Sequence, residues 1–151
     1  AEVIATLNLA WDYATAKAAM EDILANYPQI DGILSQGGAM TQAAIDAYVE
    51  QGLPLVPMTG EASNGFLRVW LEQADNGLQS MAFCNPTWIS VTALDTAIRI
   101  LNGEEVEKEI TVTVPPVTLE TAKDLYRPDV NDSFWVHTYL SDAEIKELFP
   151  K

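Results

Sequence analysis

Gly32-Ile33-Leu34-Ser35-Gln36-Gly37-Gly38-Ala39-Met40 is the stretch that decides how this chain is read. A short apolar run ends in a polar residue and two glycines, and a helical pattern starts at once. Gly32–Gln36 is predicted to be a strand and Ala39–Gln51 a helix, with Met40, Ala44, Ala47 and Tyr48 on its inner face and Gly52 as its stop. Leu53–Thr59 then reads as another strand. This is a strand-helix-strand unit with connections too short for anything but neighbouring elements.

The unit repeats outward in both directions. Upstream, Val3–Asn8 reads as a strand and Tyr13–Tyr27 as a helix, with Asp12 placed to cap it and Pro28 to end it. Downstream, Asn64–Ala74 reads as a helix, Leu78–Cys84 as a strand and Thr87–Leu101 as a helix closed by Asn102-Gly103. Asn64 is read as a helix cap, and Trp70, Met20 and Met40 as core side chains. Four apolar strands alternating with helices predict an α/β domain, three layers in α-β-α order around a mostly parallel sheet covered on both faces.

The last third breaks the rhythm. Glu109–Val117 alternates Ile110, Val112 and Val114 with polar residues, the pattern of a half-exposed strand stopped at Pro115-Pro116. Beyond Thr118 the chain reads as irregular until the capping box Ser141-Asp142-Ala143-Glu144 opens a short terminal helix. The expected organisation is a ligand-binding lobe over residues 1–117 and a tail, 118–151, packed on it.

Composition narrows the function. A net charge of −14 with only eight Lys and Arg argues against nucleic acid and against an anionic membrane surface. One cysteine, Cys84, leaves no internal disulfide, and its sequence neighbours offer no cation or base to activate it. One histidine, His137, is too few for a His-based metal site, and a Ser-His-Asp arrangement would have to use it without any G-x-S-x-G turn. No phosphate-binding glycine motif follows a strand. No catalytic residue, metal or cofactor is assigned.

In an open parallel sheet, ligands bind beyond the carboxyl ends of the strands. Four loops meet there: Asn8–Asp12, Ser35–Gly38, Thr59–Gly65 and Phe83–Trp88. They are rich in amides, hydroxyls and glycines, with Glu61, Trp11 and Trp88 among them. Hydroxyl-pairing groups beside aromatic faces are what a carbohydrate needs.

The chain resembles the ribose-binding class of type I periplasmic sugar-binding proteins, which serve ABC importers. The resemblance rests on residues in order: Ala10-Trp11-Asp12 before a helix, Tyr27–Ile33 leading into a strand, Gln36–Met40, and Gly60–Gly65. Asn85-Pro86 and Leu101–Glu104 continue it, and Tyr126–Asp129 with Asp132–Trp135 resemble a sugar-binding subgroup's tail. It implies two lobes closing on a sugar or polyol, a membrane permease as partner, and a parent protein in the periplasm or lipid-anchored outside the cell. It implies Trp11 as the aromatic stacked on the sugar, Glu61 where an Asp is usual, Asn85 as an amide near the hinge, and Gln36-Gly37 at a polar contact. Gly37 stands where that contact usually has a side chain. It also implies that this is the C-terminal portion of a longer chain, as the start at Ala1-Glu2-Val3 suggests. A strand between the first two would then be missing, and Thr87–Leu101 would normally rest on the other lobe. Rearranged pairing or self-association is the expected response. The effector lobe of a sugar-responsive repressor shares this fold and is the alternative. A small α/β enzyme is the less favoured reading.

Overall fold

The computed structural model describes residues 1–151. Its helices are α1 (Tyr13–Asn26), α2 (Gly38–Glu50), α3 (Asn64–Gln73), α4 (Ile89–Leu101), α5 (Leu119–Leu125) and α6 (Asp142–Leu148). The strands β1 (Met58–Glu61) and β2 (Ser80–Phe83) pair in parallel, Gly60 opposite Ala82. Single bridges extend the sheet on each side. Ile33 lies parallel beside Met58, and Val117 lies antiparallel beside Ala82. The chain is thus α/β with a parallel core sheet, as its alternating pattern predicts.

Several strands are shorter than their apolar runs. β1 begins only after Pro57, because Pro54 and Pro57 have no N–H to give a ladder. Gly32–Gln36 makes one bridge, at Ile33. Val3–Asn8 is not a strand: its side chains are exposed and its backbone enters no backbone hydrogen bond. Glu109–Val117 is corrected too, since only Val117 pairs. The reason is the same for both. An apolar pattern records what could be buried, but a ladder also needs a neighbouring strand, and neither segment has one. The sheet does not rearrange to close its edge at Ile33.

The core lies between one sheet face and α2 and α3. Met58 and Ala82 point into it, and Ile45, Phe66, Leu67 and Trp70 fill it. Trp70 and Met20 are core residues as expected, whereas Met40 is only partly buried. The alternate positions Leu34, Met81 and Phe83 point to the opposite face. They are exposed, so the strands are not covered on both sides. α4 has no buried residue at all.

The tail completes the core. Ala122, Val130, Phe134, Val136 and Ile145 all join it. This region is less irregular than its sequence suggests, for α5 is a helix. Its cap is a box of Thr118 with Thr121, not the Ser/Thr-x-x-Glu/Gln pattern that marks such starts. α6 begins at its predicted box, Ser141 with Glu144.

Asn64 holds tail to body. It is not the cap of α3; Ser63 is. The Asn64 side chain is 1% exposed. Its Nδ2 donates to the carbonyls of Arg127 (2.8 Å), Val130 (3.3 Å) and Asn131 (3.2 Å), and its Oδ1 accepts the Arg127 N–H (2.9 Å). The Asn64 and Gly65 backbone N–H groups donate to Phe134 and Asp132 carbonyls at 2.7 and 3.0 Å. Nearby, Arg68 makes a two-pronged contact with Asp132, which holds that carboxyl below its ordinary range. Replacing Asn64 by Ala strands several buried tail groups, so Asn64→Ala is expected to cost about 3 kcal/mol in urea unfolding. Asn64→Asp should cost at least as much, because it turns a donor facing three carbonyls into an acceptor.

Candidate ligand cleft

An open cleft of about 400 Å³ lies beyond the carboxyl ends of the strands. Each strand contributes its last residues: Leu34, Ser35 and Gln36; then Thr59, Gly60 and Glu61; then Phe83, Cys84 and Asn85. Trp11, just before α1, forms another wall. Trp11, Gln36, Glu61 and Asn85 are therefore brought together as the sequence predicts. Gly37 is not: it is buried and does not line the cleft. Leu34, Thr59 and Phe83 do line it and could not be singled out, because the facing of a strand residue depends on register and on what covers the sheet.

Gly37 acts from behind. A Cβ there would sit 2.7 Å from the Trp11 ring carbon Cε3 and 2.7 Å from the Met40 Cε. Its backbone is ordinarily extended, so the need is for space and not for an unusual torsion. Glycine at 37 lets the indole seat against the first turn of α2.

Trp11 is presented by a strained turn. Ala10 (φ 49°) and Trp11 (φ 60°) are both left-handed, a conformation costing about 1–2 kcal/mol for a residue with a Cβ. The turn is held by Asp12, whose N–H donates to the Leu9 carbonyl (3.0 Å). The Asp12 carboxylate accepts the Thr15 N–H (2.8 Å) and hydroxyl (2.6 Å), capping α1. Trp11 stays 61% exposed, an aromatic face held toward open cleft.

The cleft floor is pinned by hydroxyls. Thr59 Oγ1 accepts the Ser35 N–H (2.9 Å) and donates to the Ser35 carbonyl (3.0 Å). Thr41 Oγ1, fully buried, reaches both the Gly37 carbonyl (3.0 Å) and the Thr59 carbonyl (2.9 Å). These bonds fix the first strand end against the second.

Glu61 is the one carboxylate lining the cleft. Burial raises its pKa, and the Asn85 backbone N–H opposes that shift. Burial also pushes the Cys84 thiol up to about 11, so it stays protonated at neutral pH; its Sγ lies 3.8 Å from the Val136 carbonyl. No cation lines the cleft. Such a lining suits an uncharged ligand with hydroxyls for Glu61, Gln36 and Asn85 and an apolar face for Trp11 and Phe83. Trp88 does not line the cleft; it is stacked on Tyr139 of the tail with centroids 5.0 Å apart. No group of three or more His, Cys, Asp or Glu side chains is placed to hold a metal ion.

An open α/β domain with a cleft at the strand ends is the class this geometry defines. The chain belongs to the periplasmic binding protein domain family, whose model matches residues 1–105. No curated protein matches it in sequence. Among solved structures, it is similar to an ABC transporter periplasmic solute-binding protein from Actinobacillus succinogenes 130z with bound D-allose. The identity is 22% and the TM-score 0.63, over 82% of this chain and 43% of that one. An ABC transporter solute-binding protein from Agrobacterium vitis with bound D-fucose gives 21% and 0.66, over 83% and 45%. The arabinose ABC transporter binding protein from Shewanella sp. ANA-3, bound to L-arabinofuranose, gives 19% and 0.66, over 81% and 41%. The chain thus spans less than half the length of these proteins.

Glu61 sets a pH dependence. Its carboxyl titrates higher folded than unfolded, so folding favours the protonated form. That contribution is fully present below the ordinary value of 4.5 and is lost as pH rises through the raised value. Glu61→Gln is therefore expected to gain stability relative to the parent as pH increases from 4 toward neutrality. Paired thermal melts across that range would test it.

Proposed function

We propose that this domain binds a neutral sugar or polyol as part of the solute-binding protein of a bacterial ABC importer. The observation that carries the reading is the convergence of Trp11, Gln36, Glu61 and Asn85 on one cleft without a cation. An aromatic face beside amide and carboxylate acceptors fits a ring with an apolar side and hydroxyl edges. The absence of positive charge disfavours sugar phosphates and sugar acids. The structurally similar proteins, bound to D-allose, D-fucose and L-arabinofuranose, support the same ligand class.

The role is binding without chemistry. The cleft's sulfur is a protonated thiol, a weak nucleophile. Glu61, in this reading, accepts hydroxyl hydrogens and fixes ligand orientation. Residues 1–117 form the binding lobe and 118–151 a tail that buttresses it through Asn64. Signalling to a permease would follow closure of a second lobe over the ligand. The setting is the periplasm, or the outer face of a membrane by lipid anchorage. No helix of the chain is long and apolar enough to cross a membrane.

Because Trp11 and Phe83 remain half-open to solvent, the cleft alone buries only part of a ligand. Calorimetric titration with D-allose, D-fucose and L-arabinose is expected to give binding weaker than micromolar for at least one of them. Trp11→Ala should weaken it about tenfold, the equivalent of about 1.4 kcal/mol. A sugar phosphate binding more tightly than every neutral sugar would contradict the proposal.

A further inference from the structure

Two of the polar side chains lining the cleft are already engaged inside the protein. Thr59 Oγ1 accepts the Ser35 N–H and gives its hydrogen to the Ser35 carbonyl, at 2.9 and 3.0 Å. Ser35 Oγ does the same with Gly37, donating to its carbonyl at 3.2 Å and accepting its N–H at 3.4 Å. Each hydroxyl has one hydrogen, and each has placed it. Gln36, Glu61 and Asn85 remain to meet a ligand.

These three differ in what they select. An amide donates and accepts, so Gln36 and Asn85 suit almost any polar group. An ionised carboxylate only accepts, so the discrimination lies with Glu61. Its side chain is half-buried and joins none of the chain's ion pairs. The Asn85 backbone N–H is the one group that offsets its burial. No Lys, Arg or His lines the cleft. A partly desolvated carboxylate without a cation favours a ligand that brings one. The indole face of Trp11, in the same cleft, attracts positive charge as well. The chain's net charge of −14 adds a field of the same sense.

We propose that the cleft prefers a sugar bearing a protonated amino group, seated on Glu61 where a neutral sugar would place a hydroxyl. The inference rests on the reading of the cleft as a sugar seat and names the substituent that the seat selects. An ammonium offers three hydrogens and a full charge, against one hydrogen and no charge for a hydroxyl. Neutral sugars occupy the same seat more weakly. An acetamido group keeps an N–H without the charge and gains nothing from Glu61.

NMR titration of the 151-residue chain at about pH 6.5, where an amine is protonated, tests this through the Trp11 indole resonance. D-galactosamine and 6-amino-6-deoxy-D-galactose are compared with D-galactose and N-acetyl-D-galactosamine. At least one amine is expected to bind about fivefold tighter than D-galactose, the scale of a half-exposed ion pair. N-acetyl-D-galactosamine should show no such gain. Sodium chloride should narrow the ratio. Glu61→Gln, which is expected to fold at least as stably at this pH, should erase it. If both amines bind no tighter than D-galactose, the inference is overturned and the sugar reading stands. An amine preference that survives in Glu61→Gln overturns it too, because the charge would then be read elsewhere. If no sugar, charged or neutral, moves the indole, the sugar reading itself falls and this inference with it.

Discussion

The buried amide of Asn64 is the contact on which the rest of the molecule depends. It stands at the first turn of α3, directly after the strand that carries Glu61, and its side chain takes up four backbone groups of the tail. That tie sets the path of the tail beside the body, from which Val130, Phe134 and Val136 enter the core. The same stretch pairs with the end of β1: Val136 donates to the Ala62 carbonyl at 3.3 Å. The tail is thus joined to the backbone directly after Glu61 of the cleft. A single amide can do this because unsatisfied backbone groups in a buried place cost far more than satisfied ones gain.

The cleft follows from the sheet by simple geometry. Parallel strands all end on one side, so the residues after Ile33, β1 and β2 converge whatever they are. What this sequence adds is a particular set: an aromatic on a strained turn, a partly desolvated carboxylate, and small residues where bulk would intrude. Gly37 does not line the cleft, and its contribution is the space that admits the Trp11 ring. The Thr59–Ser35 and Thr41–Gly37 hydroxyl bonds hold the strand ends in register at no cost in charge.

Much of this was legible in the residues. The α/β order was readable because apolar period and glycine punctuation agree along most of the chain. Trp11, Glu61 and Asn85 could be assigned to one site because loops after parallel strands share an end. Pairing was not legible. Val3–Asn8 and Ile110–Val114 carry strand patterns and form no strand, since pattern encodes a preference for burial and the partner is a matter of topology. Asn64 looked like a cap because caps are local, whereas its true partners lie more than sixty residues downstream. α5 was hidden by a threonine where its box usually carries a longer acid or amide.

The central claim, a neutral-sugar seat at the strand ends, is tested most directly by nitrogen-15 NMR during titration with D-fucose and, separately, with D-glucose 6-phosphate. The account predicts that the neutral sugar moves the Trp11 indole resonance and the backbone amides of Gln36, Glu61 and Asn85, leaving α5 and α6 unmoved, and that the phosphate ester moves none of these. Shifts centred outside the cleft, or a response to the phosphate ester alone, would contradict it.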